Sequence, residues 1–160
     1  MNCKIIRLCE KDVCNMAKAE KSCFSHPWSE NALLGEIKSS FSDFFGAFCE
    51  DEFAGYIGGR TVAEETEIFN VAVLPEFRRK GIGKALIEEF IKTAIEKETR
   101  VIFLEVRTSN LPAINLYEKC GFVFCGIRKD YYDDPKENAI LMRLAFDGTQ
   151  EYEEWEDEEE

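Results

Sequence analysis

The densest chemical signal in the chain is Arg78-Arg79-Lys80-Gly81-Ile82-Gly83-Lys84. Glycines let backbone N–H groups approach a phosphate, and a helix that starts there adds the partial positive charge of its N-terminus. The cations around the glycines favour the same ligand. The alternative is a basic turn that needs glycine only for steric reasons. A Walker loop requires Ser or Thr after Gly-Lys, but Ala85 follows Gly83-Lys84. A dinucleotide fingerprint requires a third glycine, where Leu86 stands, and a tight strand-to-helix turn, where residues 75–80 intervene. Its one matching feature is Glu105, about 20 residues further on.

Thiol and imidazole chemistry is sparse. The seven cysteines are Cys3, Cys9, Cys14, Cys23, Cys49, Cys120 and Cys125, and His26 is the only histidine. No C-x-x-C spacing occurs, so no tetrahedral zinc site is laid out and no metal is expected. The cysteines are expected to be reduced and to act as small apolar residues. A nucleophilic Cys–His26 pair is the alternative, but His26-Pro27-Trp28-Ser29 looks like the lead-in to a helix.

A loop of this kind needs a frame. At 160 residues the chain has the length of one domain. A domain of that size buries roughly 68–70% of its unfolded surface, so it needs neither disulfide nor metal to fold. Residues 4–8 read as a strand. Asp12 is a cap for a helix to about Cys23, with Val13, Met16, Ala17 and Ala19 apolar. Pro27 breaks the chain, and Ser29 caps a second helix carrying Ala32, Leu33, Leu34 and Ile37. Residues 44–49 and 53–62 form a hairpin around Glu50-Asp51-Glu52, with Gly55, Gly58 and Gly59 marking a bulge or a close contact. A strand over 67–74 stops at Pro75. The spacing of Ile82, Ala85, Leu86, Phe90, Ile91, Ala94 and Ile95 predicts a long helix from Gly81 to about Lys97. Residues 101–106 form an apolar strand interrupted by Glu105, and 110–120 a short helix ended by Gly121. Residues 122–128 and 139–146 are the last strands, around a polar loop. The order β-α-α-β-β-β-α-β-α-β-β predicts an α/β fold. Its mixed sheet has a parallel crossover through the 81–97 helix.

Charge divides the chain in two. Overall, 32 acids against 20 bases give −12. Nine of the acids fall in 147–160, which has no Lys or Arg, leaving 23 against 20, or −3, in residues 1–146. The expectation is a nearly neutral domain over 1–146 and a solvated, disordered acidic tail over 147–160. This balance argues against direct nucleic-acid binding and against anionic membranes. No run approaches the roughly 18 apolar residues of a membrane span. The start lacks the apolar stretch of a signal peptide, so the expected location is cytoplasmic.

The pattern Arg-x-x-Gly-x-Gly after a strand resembles the pyrophosphate loop of the GCN5-related N-acetyltransferase (GNAT) superfamily. A second block strengthens the resemblance: Leu104-Glu105-Val106-Arg107-Thr108-Ser109-Asn110, Ala113, then Leu116-Tyr117-Glu118-Lys119-Cys120-Gly121-Phe122. Finer features are similar to the RimI-type ribosomal-protein-alanine N-acetyltransferases. They are Pro27-Trp28-Ser29, Phe69-Asn70-Val71-Ala72-Val73, Leu104 to Arg107, Arg128 with Tyr131-Tyr132, and Ala139-Ile140-Leu141-Met142. The resemblance covers about residues 1–146. Asp130 departs from the basic or polar residue expected before the tyrosine pair.

The resemblance implies a GNAT fold of about seven strands, splayed at the middle, with about four helices. Acetyl-CoA enters one side of the V and the amine the other. Backbone of Val71, Ala72 and Val73 would hold the acetyl-pantetheine arm. Arg78, Arg79, Lys80, Gly81, Ile82, Gly83 and Lys84 would bind the pyrophosphate. Asn110 and Tyr117 would contact coenzyme A. Glu105 would be the general base and Tyr117 the general acid, with direct attack in a ternary complex and no metal. Trp28, Tyr131 and Tyr132 would wall the peptide groove. The implied acceptor is a protein N-terminus, the alanine of a small-subunit ribosomal protein, and the implied enzyme is a monomer or weak dimer.

The chemistry is feasible on its own terms. At pH 7, neutralising a peptide α-amine costs about 1–1.4 kcal/mol and neutralising a lysine about 4.6 kcal/mol. Glu105 breaks an apolar strand, so it should be partly buried and available as a base. Proton transfer from an ordinary tyrosine to a thiolate is uphill by about 2 kcal/mol. The Val73 N–H is the candidate donor to the oxyanion if the strand bulges there. Glu30, Asp43 and Asp130 could receive a cationic substrate, or be solvated surface acids. The tail would aid solubility or steer basic ribosomal peptides. Two other readings remain: a GNAT enzyme acting on a small amine or a lysine side chain, and a non-catalytic acyl-CoA-binding module.

Overall fold

The computed structural model describes residues 2–146. The acidic segment 147–160 lies outside the described residues. The elements run β1 (Cys3–Arg7), α1 (Val13–Cys23), α2 (Glu30–Ile37), β2 (Ser42–Cys49), β3 (Glu52–Val62), β4 (Glu65–Val73), α3 (Ile82–Glu96), β5 (Val101–Arg107), α4 (Leu111–Lys119), β6 (Val123–Tyr132) and β7 (Glu137–Ala145). This is the order the sequence predicts. No helix among the described residues is long and apolar enough to cross a membrane.

The seven strands form one mixed sheet in the order β1-β2-β3-β4-β5-β7-β6. Strand alternation divides its side chains between two cores. Phe45 and Ile57 face one, under α3 and α4, while Phe44 and Tyr56 face the other, under α1 and α2. In α3, Ile82, Leu86, Phe90 and Ala94 recur every fourth residue and are buried with Ile87. Each large apolar side chain buried there contributes about 1.5–3 kcal/mol.

One pairing decides where a site can form. β4 and β5 are parallel neighbours only at Glu65–Glu67 against Val101–Phe103. Beyond Glu67 the ladder ends, and the two strands continue to Val73 and Arg107 without pairing to each other. Each stays fixed on its outer side, β4 to β3 and β5 to β7. The result is a V with main-chain groups on its inner edges.

Several local expectations change. Asp12 precedes α1, but its carboxylate accepts the Cys9 N–H at 2.9 Å rather than capping the helix. Cys3 and Cys49, opposite each other on β1 and β2, form a disulfide, so these two cysteines are not free thiols. Asp43 is no solvated surface acid. It is buried and pairs with Arg7 and Lys97, each at 2.5 Å. Strand β6 extends to Tyr132, so the tyrosine pair stands on a strand end rather than in a loop.

Candidate active site

The open V is one wall of a cavity of about 1790 Å³. That exceeds the roughly 300–1,000 Å³ of a pocket for one small ligand, so two substrates have room. Among the sequence-predicted residues, Trp28, Val71, Glu105, Asn110, Tyr117, Tyr131 and Tyr132 line it together. The loop from Arg78 to Lys84 is not part of that lining.

The β4 arm offers main chain. Leu74 N–H bonds back to Ala54 on β3 at 2.8 Å. Strand alternation then turns the peptide groups of Val71 and Val73 the other way, into the V. The Val73 carbonyl confirms that direction: it accepts from the Cys23 thiol at 3.4 Å and from Arg78 Nε at 3.0 Å. No bulge occurs at Val73, which stays in register with Gly55. The irregularity lies earlier, where Gly58 pairs with Asn70 and Gly59 with Ile68, leaving Phe69 as the extra residue.

The basic loop follows β4 after Leu74 and a single 3-10 turn at Pro75–Phe77. Arg79 and Gly81 both have left-handed backbone, with φ of 62° and 77°. Gly81 is the N-cap of α3 and no side chain caps this terminus. Gly83 serves a different need, because a Cβ there would sit 2.9 Å from the Leu116 side chain of α4. The uncapped helix start, with Lys80 and Lys84 beside it, fits an anionic phosphate group. Arg78 is turned away from it, toward Val73 and Cys23.

The β5 arm offers side chains. Leu104 and Val106 point into the core, so alternation turns Glu105 into the cavity. Its side chain is 20% exposed and lies 3.3 Å from Arg128 Nε of β6. Tyr131 also hydrogen-bonds Glu105, and this is the main cause that pushes its phenol up to about 12. Tyr131 and Tyr132 meet edge to face at 5.0 Å, and the Arg107 guanidinium lies 4.2 Å from the Tyr132 ring centre. Asp130, the residue that departs from the expected pattern, has φ of 52° at the β6 irregularity, and its N–H bonds Asn138. Aspartate tolerates that backbone better than most residues.

Tyr117 of α4 is buried to 8% exposure, its ring against Phe122. Burial, with smaller contributions from Tyr132 and Cys120, raises its pKa above the ordinary tyrosine value. A raised pKa makes the phenol a weaker acid, so full proton transfer is more uphill than for an ordinary tyrosine. The group stays protonated and serves best as a hydrogen-bond donor. Asn110 caps α4, accepting the Ala113 N–H at 3.3 Å. Glu137 holds the β5–α4 turn through Thr108 and the Ser109 N–H.

Sequence reasoning missed Glu20. It is 0% exposed and lines the same cavity. Its carboxylate accepts Asn70 Nδ2 at 2.7 Å, the Trp28 N–H at 3.1 Å and the Tyr56 hydroxyl. A signal was present: Glu20 falls four residues after Met16 and three after Ala17, on the apolar stripe of α1.

A basic glycine turn and an uncapped helix start beside a splayed parallel pair frame the comparison with known proteins. Residues 13–122 match the acetyltransferase (GNAT) family. The chain belongs to that family. It is 35% identical over 127 residues to the ribosomal protein bS18-alanine N-acetyltransferase of Escherichia coli (strain K12), covering 78% of this chain and 85% of that protein. The enzyme of the same name from Haemophilus ducreyi is 32% identical over 139 residues, covering 84% and 94%. The crystal structure of the ribosomal-protein-S18-alanine N-acetyltransferase from Escherichia coli superposes with a TM-score of 0.85 at 32% identity, covering 90% of this chain and 94% of that one. As a GNAT protein, the chain is an acetyl-CoA-dependent N-acetyltransferase, and the fold expected from its motifs is the fold observed.

Proposed function

We propose that this GNAT enzyme acetylates the N-terminal α-amine of a protein, the alanine of a small-subunit ribosomal protein, in the cytoplasm. The observation that carries the reading is the unequal V. One arm presents main-chain groups that no neighbouring strand pairs, near a basic helix N-terminus, and the other presents a carboxylate walled by aromatic rings. The 35% identity to a bS18-alanine N-acetyltransferase supports the same acceptor.

The residues on the β4 side fit acetyl-CoA. Val71 and Val73 offer peptide groups to the acetyl-pantetheine arm, with Ala72 between them. Arg79, Lys80, Gly81, Ile82, Gly83 and Lys84 hold the pyrophosphate, and Arg78 braces Val73. Asn110 lies on the coenzyme side of α4. Bound there, acetyl-CoA supplies the thioester that is attacked.

The protein's own groups then do four things. Trp28, Tyr131 and Tyr132 enclose the peptide N-terminus. The incoming α-ammonium takes the place of Arg128 at Glu105. Glu105 accepts the ammonium proton, directly or through water, which leaves the neutral amine that can attack. The Val73 N–H, which strand alternation and not a bulge turns into the V, donates to the developing oxyanion. The amine nitrogen forms its bond to the acetyl carbon as the C–S bond breaks, and the Tyr117 hydroxyl donates a hydrogen bond to the sulfur. The proton shed by the nitrogen leaves with coenzyme A as the free thiol. An α-amine suits this arrangement better than lysine, because neutralising lysine costs about 3 kcal/mol more at pH 7.

The test is acetyl-CoA turnover, followed by thiol release, on peptides starting with Ala, Ser, Met or Gly and on one with lysine amines only. The expected result is the highest kcat/KM on the alanine peptide. Equal rates on the lysine peptide would reject the N-terminal acceptor.

A further inference from the structure

Among the described residues Asp12, Glu20 and Asp43 are the buried acids, and the two least exposed, Glu20 and Asp43, are held differently. Asp43 has two cations. Glu20 has none among the described residues, and the causes acting on it are burial, which raises its pKa, and three hydrogen bonds, which lower it. Burying an anion without a cation is unfavourable unless donors surround it. A core that needed only packing would be served by an apolar residue at this point of α1. The three donors show what Glu20 holds instead.

Each donor belongs to a different segment. Tyr56 is on β3, Asn70 is on β4, and Trp28 is in the connection between α1 and α2. In that connection Ser25, His26 and Pro27 are exposed and have no regular structure. The Trp28 N–H enters the interior and ends on Glu20 Oε2. The Trp28 ring then lies 5.4 Å from Phe69, the extra residue of the β4 irregularity. Asn70, the next residue, returns to the same carboxylate through Oε1. One side chain therefore fastens an aromatic wall of the amine side and the strand that leads into Val71 and Val73.

We propose that Glu20 is a positioning residue for peptide binding: it locks the Trp28 segment onto the β4 irregularity and so sets the wall of the acceptor groove against the coenzyme strand. This rests on the acceptor side assigned above. The Glu20 carboxylate spends its hydrogen bonds on protein donors, and of these Trp28 walls the acceptor side, so the effect expected is on the acceptor.

Glu20→Gln conserves shape but cannot serve all three donors. Its single carbonyl oxygen accepts either the Trp28 N–H or the pair Tyr56 and Asn70, and its NH2 then faces a donor. The expected result is a rise of about 10-fold in the KM of the alanine peptide, the scale of one lost buried charge-assisted hydrogen bond. The KM for acetyl-CoA should stay within about twofold. A second readout is fluorescence in a Trp155→Phe background, where Trp28 is the remaining tryptophan. Its emission should shift to the red in Glu20→Gln as the ring leaves Phe69. Unchanged peptide KM and unchanged emission, with only a lower Tm, would overturn the proposal and leave Glu20 a packing residue. An equal rise in both KM values would also overturn it.

Should Glu20→Gln fail to fold, amide hydrogen exchange on the wild type decides. The Trp28 N–H should be protected well beyond Ser25 and His26, and exchange as fast as theirs would overturn the anchor. These outcomes are separable from the acceptor assignment. A wild type that acetylates no peptide N-terminus refutes that assignment, while Trp28 protection and emission still report on Glu20.

Discussion

The two arms of the V are built from different parts of the residue. In the proposed function the binding groups on the β4 side are main-chain N–H and C=O, left unpaired by β5 where it diverges and followed by an uncapped helix N-terminus. On the β5 side they are side chains, namely Glu105, Arg128, Tyr131, Tyr132 and Trp28, gathered from two strands and a loop. The first design is tolerant. Any residue whose backbone adopts the right φ and ψ supplies the same donors, so glycine at the turn matters more than side-chain identity. The second design is specific. As proposed, it would set the acceptor through ring positions and one carboxylate, and a single substitution would alter it.

The comparison can be broken from either side. Glu105→Gln is the most severe test of the side-chain arm. It should lower kcat by about 10²- to 10⁴-fold, with acetyl-CoA affinity by calorimetry unchanged. A kcat within threefold of wild type would remove Glu105 from the proton path. Tyr117→Phe is next. A lost hydrogen bond to a developing thiolate corresponds to roughly 10- to 150-fold in kcat. Unchanged acetyl transfer at equal coenzyme affinity would leave Tyr117 a packing residue.

The main-chain arm is probed by Gly81→Val. The position has φ of 77° and open space around it, so the cost is conformational rather than steric. Forcing a side chain into that backbone should raise the acetyl-CoA KM roughly 5- to 30-fold while the peptide KM stays put. A matching rise in both would show that the arms are not independent.

The smallest effect concerns the turn that carries Asn110. Glu137 is held down to about 2, first by its bonds to Ser109 and then by those to Thr108 and Arg107. A folded-state pKa below the ordinary 4.5 stabilises the fold above that pH and ceases to do so as pH falls through about 2. The Tm difference between wild type and Glu137→Gln should therefore be constant above pH 4.5 and shrink as pH approaches 2. A pH-independent difference would mean that the carboxylate's charge plays no part in holding the turn.

Much of this was legible in the chain. The order of eleven elements follows from apolar spacing and from Pro, Gly and cap residues, because those signals act within a few residues. The basic glycine loop was readable for the same reason, since a turn before a helix is a local event. Glu105 stood out as an acid inside an apolar strand. Glu20 also stands on the apolar stripe of α1, but in a helix with few large apolar residues one acid carries little signal. Tyr131 and Tyr132 were identified as groove residues, but their strand position and the contact of Tyr131 with Glu105 were not.

Sequence alone determined the frame, because its elements depend on residue type and short-range spacing, and the family resemblance of its motifs implied which residues would carry acyl transfer. Only the tertiary structure decided that β4 and β5 part after three residue pairs, which opens the main-chain arm. Only it buried the Tyr117 ring, which raises the pKa of the phenol and favours hydrogen-bond donation over proton transfer. It also joined Trp28, Tyr56 and Asn70 on Glu20, across sequence separations of 8, 36 and 50 residues. The physical reason is common to all three. Pairing, desolvation and polar satisfaction depend on neighbours that meet only when the chain is folded, and no local pattern encodes their distance.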